Sequence, residues 1–306
     1  MRIVTLLPSA TEIVYALGLE PVATSHECDW PPEAAGKPAV NRSRVDADAS
    51  AGEIDAQVLE AEASGGVYDI DLGALERADP DLVVSQGICD VCAVDSVLVR
   101  DAVEELGLGC EVLTTDPHSV EDVFEDVRRI GRATGREDRA GEVVSGLRER
   151  VDRVRERTAD IPPDERPRVA VLDWTDPVMT AGHWVPELVE WAGGEYGLAD
   201  RGTASQPRKW AEIREYDPGA LVVAPCGFDL EQTFENLEDL TDREGWDDLT
   251  AVGEGRAYAM DGHHYLNRPG PRLVDSLEYL AGLLHPDRFE APPAAVARSV
   301  ARTRAR

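Results

Sequence analysis

The chain has 306 residues, 42% apolar and 30% charged, which is enough for one large core or two ordinary ones in a soluble, globular protein. Sixty acidic residues against 31 basic ones leave a formal charge of −29, which argues against nucleic acid as a partner, because phosphate binding needs a basic face. No run of about 20 apolar residues is present to span a membrane, and five cysteines at irregular spacing argue against a disulfide framework.

Only Lys37 and Lys209 are lysines. Acidic residues are spread along the whole chain, and salt would screen their repulsion while keeping the surface hydrated. That pattern predicts a protein of a high-salt cytosol or brine. An acidic surface evolved for one basic partner is the rival reading.

The sequence opens MRIVTLLPSATEIVYALG. Ile3 to Leu7 reads as a strand. Ser9 with Glu12 three residues on reads as a capping box, and Gly18 closes the helix. No signal-peptide pattern precedes this strand. The sequence as it stands is therefore expected in the cytoplasm, or outside it if the start is truncated. A second strand, Val22 to Ser25, runs into HECDWPP, and Ser50 with Glu53 marks another helix start. LGALERADPDLVVSQG reads as helix, Asp-Pro turn and buried strand, followed by a helix from Asp95 to Leu106 and a strand from Glu111 to Thr114. Alternating strands and helices predict an α/β fold with mostly parallel sheets covered on both faces.

From Ser119 to Arg157 the pattern is almost all helix. One stripe runs through Val120, Val123, Phe124, Val127 and Ile130. After Gly135 another runs through Val143, Val144, Leu147, Val151 and Val154. The strand-helix rhythm then returns with RVAVLDW and GHWVPELVEWAGG. AEIREYDPGALVVAPCG repeats the phrase ALERADPDLVVSQG, and WVPELVEWAGG matches PSATEIVYALG. The expected organisation is two three-layer α/β lobes, 1–117 and 161–290, joined by a long rigid helical segment, 118–160. A disordered basic tail, 291–306, follows.

Ligands of open parallel sheets bind beyond the carboxyl ends of the strands. In the first lobe these places hold Pro8 and Ser9; His26, Glu27, Cys28 and Trp30; Gln86, Cys89 and Cys92; and Asp116 and His118. In the second they hold Asp173 and Trp174, His183 and Trp184, Cys226 and Phe228, and His263, His264, Tyr265, Asn267 and Arg268. Four of the five cysteines and three of the six tryptophans fall there. Both residue types prefer burial, so they suggest a lined cleft rather than a wet rim.

Cys89-x-x-Cys92 is half of a thiolate metal site, which Cys28 and His26 would complete if their loops met it. A redox pair and plain thiols at a cleft edge are the other readings. His26 and Glu27 are acid-base candidates, or members of a hydrogen-bonding loop. Adjacent His263 and His264 would point opposite ways on an extended segment. Arg42 and Arg44 in NRSR would meet a carboxylate, amide or phosphate, or else pair with the acidic surface. No Gly-rich phosphate loop, G-x-S-x-G or H-E-x-x-H occurs.

IVTLLPSATEIVYALGL, LERADPDLVVSQ, the long helical segment and VPELVEWAGG together resemble the cobalamin- and siderophore-type solute-binding proteins of ABC importers, across about residues 1–286. SHECDWP, CDVCAV and NRPGPRLVD resemble the cobalamin-binding branch. The resemblance implies two lobes bridged by a rigid helix and a non-catalytic site in the cleft between them. The ligand would be a corrinoid, with no required cofactor, an ABC permease as a candidate partner, and a monomeric chain. It places ligand contacts on Pro8, Ser9, the loop His26, Glu27, Cys28 and Trp30, Gln86, Trp174, His183 and Trp184. Cys89, Cys92, His264 and Asn267 join them from the strand-end reading, and Arg42 and Arg44 from NRSR. His183 or His26 is the candidate to face cobalt. Two other readings stand beside this one: a metal-dependent or tetrapyrrole-processing enzyme using the cysteines and histidines, and a ferric-siderophore binder with Arg42, Arg44, Arg208 and Arg268 as its cations.

Overall fold

The computed structural model describes residues 1–88, 94 and 96–300. In chain order the elements are β1 (Ile3–Thr5), α1 (Pro8–Ala16), β2 (Ala23–Thr24), β3 (Asn41–Ser43), α2 (Ala51–Ala63), β4 (Tyr68–Ile70), α3 (Leu72–Ala78), β5 (Leu82–Gln86), α4 (Ser96–Glu105), β6 (Glu111–Thr115), α5 (Val120–Ala133) and α6 (Glu137–Thr158). They continue with β7 (Val169–Thr175), β8 (Val178–Thr180), α7 (Val185–Trp191), β9 (Gln206–Pro207), α8 (Trp210–Tyr216), β10 (Ala220–Val223), α9 (Leu230–Glu235), α10 (Glu238–Thr241), α11 (Thr250–Gly253), β11 (Ala257–Met260), α12 (Leu273–Leu284) and β12 (Ala297–Ser299).

Two compact units result. Unit 1 comprises Met1–Ala49, Glu53–Gly146 and Pro269–Pro271, and unit 2 comprises Ser50–Gly52, Leu147–Arg268 and the chain from Arg272. The division between the units falls between Gly146 and Leu147, inside α6.

In unit 1 the sheet order is β2-β1-β5-β6, parallel throughout. Strand alternation sends Val4 and Val83 into a core with Leu75, Val99 and Val103 from α3 and α4. Thr5 faces the other way, where its hydroxyl meets that of Thr11 on α1 at 2.6 Å. The α5 stripe is buried at every position the periodicity names, from Val120 to Ile130. A separate antiparallel ribbon pairs β3 with β4, Arg42 opposite Asp69.

In unit 2 the order is β12-β11-β10-β7-β8-β9. Only its centre is parallel, β10 lying between β7 and β11. The three outer pairings are antiparallel, so this sheet is mixed where a mostly parallel one was expected. Arg150 on α6 donates 3.0 Å to Glu278 and also bonds Asp275, both on α12. The expected frayed tail is partly ordered. Residues 297–299 form edge strand β12, because Val296, Ala297 and Val300 supply buried apolar contacts among the arginines; residues 301–306 lie outside the described residues.

The repeated phrase has a physical basis. Helices α3 and α8 both end on an aspartate in the left-handed region, Asp79 (φ 42°) and Asp217 (φ 44°). A proline that cannot continue the helix comes next. Each phrase then enters a buried parallel strand, β5 beside β1 and β10 beside β7. Both units therefore present a set of loops at the carboxyl ends of their central strands.

Candidate functional site at the strand ends

On unit 1, β1 leads straight into α1. Pro8 takes the first helical position, where its missing N–H is no loss. Leu7, extended at φ −158°, is the cap and makes no side-chain cap bond. Ser9 therefore sits inside the helix, 4% exposed, and the expected capping box does not form. Gly270 packs on it, and a Cβ there would come within 3.3 Å of the Ser9 Cα.

The loop after β2 holds the polar group of this edge. The backbone N–H of His26 donates to Asn41 Oδ1 at 3.0 Å, and His26 Nδ1 lies 3.1 Å from the same oxygen. Nε2 is 3.3 Å from Glu27 Oε1. The Tyr68 ring lies 5.8 Å from the imidazole. Partial burial alone would lower the His26 pKa, but its hydrogen bonds to Glu27 and Asn41 outweigh this and raise it above its ordinary value. Trp30 is 45% exposed. Cys28 is a core thiol, 3.0 Å from Thr11 Oγ1 beneath α1, and not a cleft residue. Cys89 and Cys92 lie outside the described residues, so the proposed four-ligand set is represented only by His26 and the buried Cys28. Gln86 closes β5 opposite Thr115 and is buried.

Arg42 and Arg44 both pair with one carboxylate, that of Asp69. Arg42 reaches Asp69 at 3.1 Å and Arg44 bonds the other oxygen of the same carboxylate. The two guanidiniums, Arg44 foremost, hold Asp69 below the usual carboxylate range.

On unit 2, Trp174 ends β7 half-buried, its indole 5.1 Å from the buried Phe228 ring and its N–H donated to the Asp176 carbonyl at 3.1 Å. Beside it, Asp173 accepts a short hydrogen bond from Ser205. Its Oδ1 is enclosed and has no hydrogen-bond partner among the described residues. Burial raises the Asp173 pKa to about 6.

The 181–184 turn is pinned from several sides. Gly182 N–H donates to Ser205 Oγ (3.1 Å), His183 N–H to the Thr203 carbonyl (2.5 Å), and Gly202 N–H to the His183 carbonyl (2.9 Å). These bonds hold His183 at φ 51°, a region a non-glycine residue enters only when its surroundings impose it. A glycine is required at 182, because a Cβ would sit 2.2 Å from the Thr203 carbonyl oxygen. The Trp184 ring stacks against His183 at 5.5 Å. Trp184 itself is 5% exposed and donates its indole N–H to the Leu266 carbonyl at 2.6 Å. It is an anchor of the fold and offers no open face.

The 261–268 loop is likewise stapled. Asn267 gives its amide protons to the carbonyls of Ala224 (3.0 Å) and Gly262 (2.9 Å), which makes it a structural residue. His264 Nδ1 lies 2.8 Å from Asp261, and Arg268 is 2.7 Å from His263. The segment is a series of turns, so the two histidine rings meet edge to face at 4.7 Å instead of pointing apart. Sequence reasoning missed Asn41 and Ser205. Asn41 lay in plain view within NRSR but was passed over for its arginines. Ser205 carried no local signal.

Among the described sequence-predicted residues, His26, Glu27, Trp30, Trp174 and His183 stand on the strand-end loops, while Cys28, Trp184 and Asn267 have partners within the fold. Among described residues no helix is long and apolar enough to cross a membrane. The chain is similar to an uncharacterized ABC transporter substrate-binding lipoprotein of Bacillus subtilis, 26% identical over 94% of this chain and 81% of that protein. It is also similar to the vitamin B12-binding protein of Vibrio cholerae, 22% identical over 92% of this chain and 88% of the relative. Among solved structures a periplasmic heme binding protein from Pseudomonas aeruginosa shares the fold, with a TM-score of 0.74 at 18% identity over 99% of both chains. Residues 3–263 match the periplasmic binding protein family. Two α/β units with ligand-type loops at their strand ends and a family match across most of the length lead to one conclusion: the chain belongs to the periplasmic binding protein family, the non-catalytic solute-binding components of ABC transport.

Proposed function

We propose that the solute is a corrinoid, held without chemistry for ABC-type uptake or for corrinoid handling inside the cell. The contacts come from the strand-end loops, with His26, Glu27 and Trp30 of unit 1 and Trp174 and His183 of unit 2. A corrinoid is a large, mostly apolar ring with an amide rim. An indole supplies contact area to such a ring at low entropy cost.

One observation carries this reading over heme or a ferric siderophore, namely the fate of the arginines. Arg42 and Arg44 pair with the Asp69 carboxylate and Arg208 with Glu212 at 3.7 Å; Arg268, hydrogen-bonded to His263, keeps its charge. Heme propionates and ferric chelates are anionic and call for cations. At low ionic strength the chain's charge of −29 adds repulsion to this. An amide rim needs no cation. The relative named as a vitamin B12-binding protein supports the same choice, while the heme-binding neighbour makes heme the competing ligand.

Tryptophan fluorescence in concentrated KCl, titrated with cyanocobalamin, hydroxocobalamin and hemin, tests the proposal. Saturable quenching by both cobalamins is expected, stronger than by hemin and weakened by Trp174→Ala. Hemin saturation without a cobalamin response would overturn it.

A further inference from the structure

We propose that Asn41 fixes the tautomer of His26 so that Nε2 presents a lone pair to the metal centre of the bound solute. On the corrinoid reading, on which this rests, His26 takes a labile axial position on cobalt. The cobalt–water bond breaks, the cobalt–Nε2 bond forms, and the water leaves, with no change in oxidation state.

The chain of inference begins with a backbone amide. The His26 N–H can only donate, so the atom of Asn41 facing it at 3.0 Å is the oxygen. This removes the usual ambiguity between amide oxygen and nitrogen. His26 Nδ1 sits 3.1 Å from that same oxygen. The Ser25 hydroxyl also lies near Nδ1, but at 3.5 Å it is the longer contact; a bare Nδ1 would set its lone pair against the nearer Asn41 oxygen, so Nδ1 carries the hydrogen and donates it. The neutral imidazole then has its lone pair on Nε2. This is the arrangement by which metal-binding histidines are oriented from behind, one ring nitrogen donating to a fixed acceptor and the other left for the metal.

Asn41 is well placed for that role. It is 4% exposed and paired in β3 opposite Ile70 of β4, and the neighbouring β4 residue Tyr68 lies against the imidazole. The His26 side chain remains 27% exposed. Glu27 Oε1 lies 3.3 Å from Nε2 and holds the ring as an imidazolium when it is protonated; from that state the Nε2 proton passes to solvent before the cobalt–Nε2 bond forms, and Nδ1 keeps its hydrogen on Asn41. The raised His26 pKa is consistent with that competition between proton and cobalt. His183, the other candidate, sits in a turn held by backbone hydrogen bonds to Thr203 and Gly202.

The test uses the whole chain and two probes. Hydroxocobalamin has an exchangeable axial water, whereas the cyanide of cyanocobalamin resists exchange. Hydroxocobalamin is expected to show an imidazole-type shift of its visible bands on binding, and cyanocobalamin to bind without one. His26→Ala should abolish the shift while both cobalamins still quench fluorescence. Asn41→Leu should weaken the shift, and Asn41→Asp, which keeps an oxygen acceptor, should restore it. Circular dichroism on each variant separates loss of ligation from loss of fold. Binding of both cobalamins with no shift, or a shift that survives His26→Ala, overturns the inference and leaves the corrinoid reading intact. Failure of both cobalamins to bind overturns the corrinoid reading and this inference with it.

Discussion

Asp173→Asn gives the sharpest test of the electrostatics at the β7 edge. The enclosed carboxylate has its pKa raised from 3.8 to about 6, because burial penalises the charged form and the hydrogen bonds from Ser205 and the Asp173 backbone do not compensate. Ionisation is therefore more costly in the folded chain than in the unfolded one. The sign follows directly: the penalty is fully present above about pH 6, shrinks between about 6 and 3.8, and disappears below that interval. At about 1.4 kcal/mol per pH unit of displacement, it amounts to about 3 kcal/mol at neutral pH. Asparagine does not titrate, and its oxygen still accepts from Ser205. Its NH2 group carries a fixed burial penalty, which offsets every point equally and leaves the pH dependence untouched. Urea unfolding of wild type and Asp173→Asn in concentrated KCl, from about pH 4.5 to 8, reads the difference. The variant should gain about 2–3 kcal/mol relative to wild type across that range, most of it between about pH 4.5 and 6.5. A parallel pair of stability curves would show that Asp173 is solvated or partnered in the folded protein, and would refute the reasoning.

Two further outcomes are expected. Gly182→Ala places a methyl group 2.2 Å from the Thr203 carbonyl oxygen, so the turn must shift at about 1–3 kcal/mol. An unchanged melting temperature would show that the 200–205 loop yields freely. Because 60 acidic residues face 31 basic ones, the melting temperature should climb from dilute buffer to multimolar KCl as repulsion is screened. A flat response would mean that the acidic surface has no bearing on stability and would remove the high-salt expectation.

Much of the fold was legible because its signals are local. An aspartate that accepts the left-handed region, then proline, then an apolar run specify helix end and buried strand within a dozen residues, and Asp79 and Asp217 do so in the same way. The outer antiparallel strands of unit 2 were not legible. Val178–Thr180 and Gln206–Pro207 are too short to show a period. The site was half legible. Composition located the polar groups at strand ends, but distant partners decide which of them are spent on the fold. Trp174 and Trp184 look alike in sequence, yet the Leu266 carbonyl, 82 residues away, claims only the second. Arg42 is taken by a carboxylate 27 residues on, through the β3–β4 register. Cys28 is drawn beneath α1 by Thr11. No local pattern encodes such long-range assignments.

Gly270 lies against Ser9 and Glu12 at the first turn of α1, and residues 269–271 are counted with a unit whose other residues end at Gly146. During synthesis, then, the amino-terminal body emerges early but incomplete. Its last three residues leave the ribosome only after the stretch from Leu147 to Arg268 of the other body has been made, and the Gly270 contact on the first turn of α1 is missing until then. The order of translation and the order of completion are therefore crossed. A nascent chain arrested before residue 271 should present that turn to proteases that cannot reach it in the finished protein.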